Sequence, residues 1–112
     1  MEVTAFTKYN RISAQKARLV ADEIRGEGLP SAIEILKAMP QKAARHILKT
    51  LTSAAANAKY RKSDINDQDL YVKKIVIDVG PTLKRFRARA RGRGTRIRKR
   101  TSSIRVVLSD ES

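Results

Sequence analysis

Two β-rich runs, Leu70-Tyr-Val-Lys-Lys-Ile-Val-Ile-Asp-Val79 and Ser103-Ile-Arg-Val-Val-Leu108, bracket the segment Gly80-Pro-Thr-Leu-Lys-Arg-Phe-Arg-Ala-Arg-Ala-Arg-Gly-Arg-Gly-Thr-Arg-Ile-Arg-Lys-Arg-Thr-Ser102. β-Branched residues favour strands, so the bracketed segment joins two strands and is not a terminal tail. It is too long for a tight turn. Within it Arg85, Arg87, Arg89, Arg91 and Arg93 alternate with Phe86, Ala88, Ala90, Gly92 and Gly94. Alternate residues of a strand point to opposite faces, so one face is arginine and the other small or apolar. Arg96, Arg98, Lys99 and Arg100 form the returning arm, and the glycines supply the backbone freedom of a tip. Each arm, at about ten residues and about 3.3 Å per residue, would reach roughly 30 Å.

The charge is concentrated there. The 112-residue chain carries 25 Lys and Arg against 11 Asp and Glu, a net +14. Residues 1–83 account for +5, residues 84–100 for +10 with no acidic side chain, and residues 101–112 for −1. Like charges packed so densely repel, and an ordinary solvated face mixes both signs. A two-stranded ribbon alone is marginal in water, so this one is expected to order when embedded in a polyanion. Nucleic acid is the expected partner, since the planar guanidinium fork binds phosphate bidentately and stacks on bases.

Working outward, residues 3–10 read as a first strand. Ser13 is placed to cap a helix whose face is Ala17, Val20, Ala21 and Ile24, with Ile12 stapling onto Ala17 and Gly26 as the stop. Pro30 suits the first position of a second helix with the stripe Ala32, Ile35, Leu36 and Met39. Pro40 ends that helix and is placed to start a third, whose stripe is Ala44, Ile47, Leu48, Leu51, Ala55 and Ala58. Ser63 to Asp67 form a turn, and Ser109 to Ser112 read as a frayed acidic tail. The order β, α, α, α, β, β predicts an α+β fold: a three-stranded antiparallel sheet packed with three helices, with a long protruding basic β-hairpin. A length of 112 residues suits one domain, with a body at about 1–79 and 102–109 and an arm at about 80–101.

Composition excludes several functions. The chain has no Cys and one His, which leaves no disulfide, thiolate chemistry, Cys-based zinc site or multi-histidine cluster. No apolar run approaches the ~18 residues of a membrane span, and the N-terminus lacks a signal-peptide profile. No nucleophile–base pair, paired carboxylates or phosphate-cradling glycine loop is present, so an enzyme, a cofactor or a metal is not expected. Asp64, Asp67 and Asp69 read as turn polarity and not as a cation site. His46 reads as packing or surface, Glu34 as surface, and Phe6, Tyr9 and Tyr71 as core or edge packing. Phe86 would pack on RNA or protein, and Asn57 would bond RNA or another helix.

The basic segment, followed by Ile104-Arg-Val-Val107, resembles the signature of the bacterial L-twenty-two family of large ribosomal subunit proteins. Arg11-Ile-Ser-Ala-Gln-Lys-Ala-Arg-Leu-Val-Ala-Asp-Glu-Ile-Arg-Gly26 is similar to that family's first helix, and Ser53-Ala-Ala-Ala-Asn-Ala58 to its third. The similarity runs in order from about Arg11 to Val107. It implies a cytoplasmic structural constituent of the large ribosomal subunit that acts in early assembly. The body would lie on the outside of the subunit, with the hairpin running through rRNA to the nascent-peptide exit tunnel. Carried over, the rRNA-binding positions are Arg11, Lys16, Arg18, Lys84, Arg85, Arg87, Arg89, Arg91, Arg93, Arg96, Arg98, Lys99 and Arg100. The tunnel-lining tip is Ala88, Arg89, Ala90, Arg91, Gly92, Arg93 and Gly94. Ala88 stands where the family usually has Pro, Ser103 where it has His and Gly94 where Ala is common. The partners implied are large-subunit rRNA, neighbouring large-subunit ribosomal proteins and the nascent polypeptide.

The main alternative from the residues is a basic DNA- or RNA-compacting chaperone that inserts its ribbon into a groove. The absence of an obvious dimer surface weighs against that alternative, and no homo-oligomer is expected. A membrane partner is not expected either, because the Ala and Gly face is too weakly apolar for deep insertion.

Overall fold

In the computed structural model the described residues are 1–79, 83–87, 95–99 and 101–111, with backbone alone at residue 9 and in the segments 83–87 and 95–99. Strand β1 (Glu2–Asn10) is followed by helices α1 (Ala14–Ile24), α2 (Leu29–Ala38) and α3 (Lys42–Arg61) and a 3₁₀ turn at Asp67–Asp69. Strands β2 (Tyr71–Val79), β3 (Leu83–Arg87), β4 (Thr95–Lys99) and β5 (Ser102–Ser109) complete the chain. β1, β5 and β2 form an antiparallel sheet in that spatial order, so the last strand lies between the two earlier ones. This is the expected α+β architecture.

One face of the sheet carries the core. Val3 and Ala5 of β1, Val72, Ile75 and Ile77 of β2, and Ile104, Val106 and Leu108 of β5 are buried. α3 packs against β1 and β5, and α1 against β2. Ala17, Val20, Ala21 and Ile24 of α1 are buried as the spacing predicts. So are Ala44, Ile47, Leu51, Ala55 and Ala58 of α3, joined by Ala43, Thr50 and Ala54. The run of alanines lets that helix approach the sheet closely. Gly26, one residue beyond the α1 C-cap, has φ +84°, and its N–H donates to the Val72 carbonyl at 2.9 Å. A left-handed backbone there favours glycine.

An open sheet edge is a template for unwanted pairing, and here helix side chains occupy both edges. At β2, Arg18 donates to the Ile77 carbonyl through Nε and Nη2, at 3.3 and 3.0 Å. Arg25 donates to the Ile75 carbonyl at 3.0 Å. At β1, Arg61 donates to the Glu2 carbonyl at 3.0 Å and Asn57 to the Thr4 carbonyl at 3.5 Å. Four helical residues rise about 6 Å and two strand residues about 6.6 Å, so Asn57 and Arg61 match successive outward carbonyls. Asn57 therefore bonds a strand and not a neighbouring helix.

Several expectations are corrected. Pro40 does not start α3: Gln41 is the N-cap and Lys42 the first helical residue. Ser13 holds the N-cap position of α1, but its side chain makes no capping bond. The C-terminus is not frayed at Ser109 to Glu111. Ser109 is buried in β5, Asp110 accepts from the Met1 ammonium at 2.8 Å, and Tyr71 donates its hydroxyl to the Glu111 carbonyl at 2.6 Å. The ammonium hydrogen bond holds the Asp110 carboxyl below its ordinary range. Phe6 is not in the core. It is 42 % exposed on the other face of the sheet, with Arg105 and Lys8 at 5.4 and 5.7 Å from its ring centroid, a cation–π arrangement. The side chains of Tyr9 and Phe86 lie outside the described residues.

Replacing both Arg18 and Arg25 by Ala is expected to lower stability by about 1–2 kcal/mol, because two edge carbonyls lose charged donors. A urea unfolding midpoint unchanged by the double replacement would contradict this role.

Candidate nucleic-acid interface

The basic segment leaves and re-enters the body at one point. Val79 pairs with Ser102 at the last step of the β2–β5 ladder, so both roots of the segment are held side by side. Beyond it β3 and β4 pair antiparallel, with Leu83 opposite Lys99, Arg85 opposite Ile97 and Arg87 opposite Thr95. The intervening steps set Lys84 opposite Arg98 and Phe86 opposite Arg96. The pairing covers Leu83–Arg87 and Thr95–Lys99, and the rest of the expected hairpin lies outside the described residues. The side chains of Lys84, Arg85, Arg87, Arg96, Arg98 and Lys99 lie outside the described residues. So do Ala88, Arg89, Ala90, Arg91, Gly92, Arg93, Gly94 and Arg100 entirely.

Ser102 pins the root. It is fully buried, and its hydroxyl donates to the Ile12 carbonyl at 2.9 Å. The Asn10 amide donates to the Ser102 carbonyl at 3.1 Å and to Thr7 Oγ1 at 2.9 Å. The β1–β5 register slips between Thr7 and Asn10. Such an irregularity bends a strand and re-aims its side chains.

That bend opens a groove of about 690 Å³ between the end of β1 and the first half of α3. Its lining includes Lys8 and Arg11 from the β1 side and Lys42, Arg45 and Lys49 from α3, with no carboxylate among the lining residues. Thr7, Asn10 and His46 complete it. Asn10 Oδ1 lies 3.1 Å from His46 Nδ1. Because the Asn10 amide nitrogen is committed as a donor, the hydrogen-bond network assigns the proton to His46 Nδ1 and leaves Nε2 as an acceptor. Burial, then the positive charges of Lys42 and Lys49, push the His46 pKa below 6.5.

The expected body positions divide. Arg11 and Lys16 are exposed, and Arg11 lines the basic groove. Lys16 lines a neighbouring cleft with Arg11. Arg18 is also exposed, but its guanidinium is engaged on the β2 edge. Lys8, Lys42, Arg45 and Lys49 were not singled out from the sequence. The signal for three of them was available: Lys42, Arg45 and Lys49 recur at helical spacing on the side of α3 opposite its apolar stripe. Asp67 and Asp69 serve the turn before β2. Lys59 pairs with Asp67 at 3.4 Å, and Asp69 closes a capping box with Asn66.

A root-pinned cationic ribbon beside an acid-free groove is a surface for a polyanion. Residues 5–109 match the family described as Ribosomal protein L22p/L17e. The chain belongs to this family. It is 52 % identical to a protein of Chloroflexus aggregans named large ribosomal subunit protein uL22, over all of this chain and 98 % of the relative. It is 51 % identical to a protein of that name from Bdellovibrio bacteriovorus, over 99 % of this chain and 100 % of the relative. A Desulfatibacillum aliphaticivorans protein of the same name is 52 % identical over 96 % of this chain and 98 % of its own length.

Three outcomes are expected of the groove. The single imidazole should titrate below 6.5 in the free protein, and its midpoint should rise when an RNA polyanion offsets Lys42 and Lys49, as read by proton NMR. Because the unfolded His46 takes up its proton near 6.5 and the folded one at lower pH, stability should fall as pH drops below that value. Lys42→Gln, Arg45→Gln and Lys49→Gln together should reduce the log–log salt slope of RNA binding by about two units, at about 0.7 per phosphate contact. A full slope in the triple variant would remove the groove from the interface.

Proposed function

We propose that the chain is a structural constituent of the large ribosomal subunit in the cytoplasm, a single rRNA-binding domain made of a globular body and a hairpin arm. Neighbouring large-subunit proteins are its other partners, and it has no enzymatic role. The observation that carries this reading is the Val79–Ser102 root, where the body clamps both ends of a segment holding ten of its 25 basic residues and no acidic one. The family and its full-length relatives supply the partner.

The mechanism is electrostatic. The ribbon bears Lys84, Arg85, Arg87, Arg89, Arg91, Arg93, Arg96, Arg98, Lys99 and Arg100, and these neutralise closely packed phosphates. The body's groove continues that surface from the ribbon's root. Recognition is of shape and backbone, because the deep groove of A-form RNA hides its base edges. Contact with several RNA segments through one ribbon and one body suits a protein that joins early in assembly. The tip from Ala88 to Gly94 lines the nascent-peptide exit tunnel, where alanine and glycine leave room for a passing chain. The family resemblance and the small side chains of that segment support the placement. The rival reading, a DNA- or RNA-compacting chaperone, has only the charge in its favour.

Deleting residues 84–100 is expected to lower the salt slope of rRNA binding by several units while the body keeps its cooperative unfolding. Retention of the full slope would refute the arm's role. Gly92→Trp or Gly94→Trp should alter ribosome profiles or drug footprints in the tunnel without unfolding the protein. No change in either readout would place the tip elsewhere.

A further inference from the structure

Beside the basic groove lies a second hollow, of about 650 Å³, between the start of α1 and the junction of α2 with α3. Its floor is apolar: Ile12, Val20 and Ala43 are buried and Met39 is half-buried. Leu19 stands at its edge, 65 % exposed, an unusual position for a large aliphatic side chain on α1. The rim is cationic, formed by Arg11, Lys16 and Lys42 against one carboxylate, Glu23. Arg11 and Lys42 also line the basic groove, so they form a ridge with an acid-free phosphate surface on one side and an apolar cleft on the other. The first turns of α1 and α3, which border the cleft, carry no acidic residue.

We propose that this cleft seats the base of a single unpaired RNA nucleotide whose phosphates lie on the Arg11–Lys42 ridge. The inference rests on the reading of the partner as RNA and extends it from backbone neutralisation to the capture of one extruded nucleotide. Three observations carry it. The cleft falls in the size range of small-molecule sites, about 300–1,000 Å³, which suits one nucleotide. Its apolar floor and cationic rim match the two ends of a nucleotide, a flat base and a charged phosphate. The ridge is continuous with the groove, and through Ile12 and Ser102 with the root of the ribbon, so a strand following the phosphate surface passes the cleft mouth. Unstacked bases splayed from loops and bulges are what RNA-binding proteins most often capture. The floor is apolar, so shape and burial select an unstacked base without a strong preference for its identity.

The test uses the full chain and two ten-unit ribose-phosphate oligomers, one carrying a single central 2-aminopurine among abasic units and one abasic at every position. Backbone charge is the same in both, so the ribbon and groove bind them equally. Base capture should make the 2-aminopurine oligomer bind about tenfold tighter and should shift the amide resonances of Ile12, Val20, Met39 and Ala43. Leu19→Glu, at an exposed position that leaves the core intact, should abolish the tenfold difference and leave the salt slope for duplex RNA unchanged. Equal affinities for the two oligomers with normal salt-dependent binding would overturn the nucleotide cleft while leaving the RNA reading standing. A preference that survives Leu19→Glu would place base capture elsewhere and overturn it too. Absence of salt-dependent binding to either oligomer or to duplex RNA would overturn the RNA reading itself, and the cleft proposal with it.

Discussion

The structure depends on β5 being held between β1 and β2. The chain lays down both outer strands before the central one, and β5 closes the sheet only after residues 80–101 have left the body and returned. Their charge opposes that closure, since ten cations within residues 84–100 repel. Apolar burial of Ile104, Val106 and Leu108 drives the strand home, and the buried Ser102, bonded to Ile12 and flanked by Asn10, fixes where the segment re-enters. The body thus serves as a clamp for the ribbon's roots. The same residues place the basic groove and the apolar cleft at the ribbon's foot, so the surfaces meet without a separate structural device.

Eight cations of the body divide between two tasks. Arg18, Arg25 and Arg61 turn back onto carbonyls at the sheet edges. Lys8, Arg11, Lys42, Arg45 and Lys49 face a groove with no acidic lining residue. The difference lies in what each side chain reaches. α1 and the end of α3 run beside an outer strand with free acceptors, whereas the start of α3 overlooks the bend of β1. His46 marks that boundary. It is half-buried and held by Asn10, and its pKa is lowered by burial and then by the lysines on either side of it in the helix.

The elements themselves were legible in sequence because local signals agreed with the global fold. The 3.6-residue stripes of α1 and α3, Gly26 and the alternation in β5 each pointed to the structure found. Pro40 misled because its fixed φ suits a helix start, yet the chain stays extended at Gln41 before turning. The tail read as frayed because its partners, the Met1 ammonium and Tyr71, lie far away in sequence. The groove escaped notice for a similar reason: Lys8 and Arg11 are separated from Lys42 to Lys49 by two helices, and only the packing of α3 on β1 joins them. Phe6 showed the limit of periodicity, which places a residue on a sheet face without saying which face the helices cover.

The central claim is that this chain is a built-in part of a ribonucleoprotein and not a polycation that adheres to nucleic acid. Sedimentation of lysate through a sucrose gradient, after a high-salt wash and with a DNase control, tests it most directly. The account predicts that the protein stays in the washed large subunits, because a ribbon embedded in folded RNA resists the salt that strips adventitious cations. Release into the free or DNA-bound fractions would contradict it.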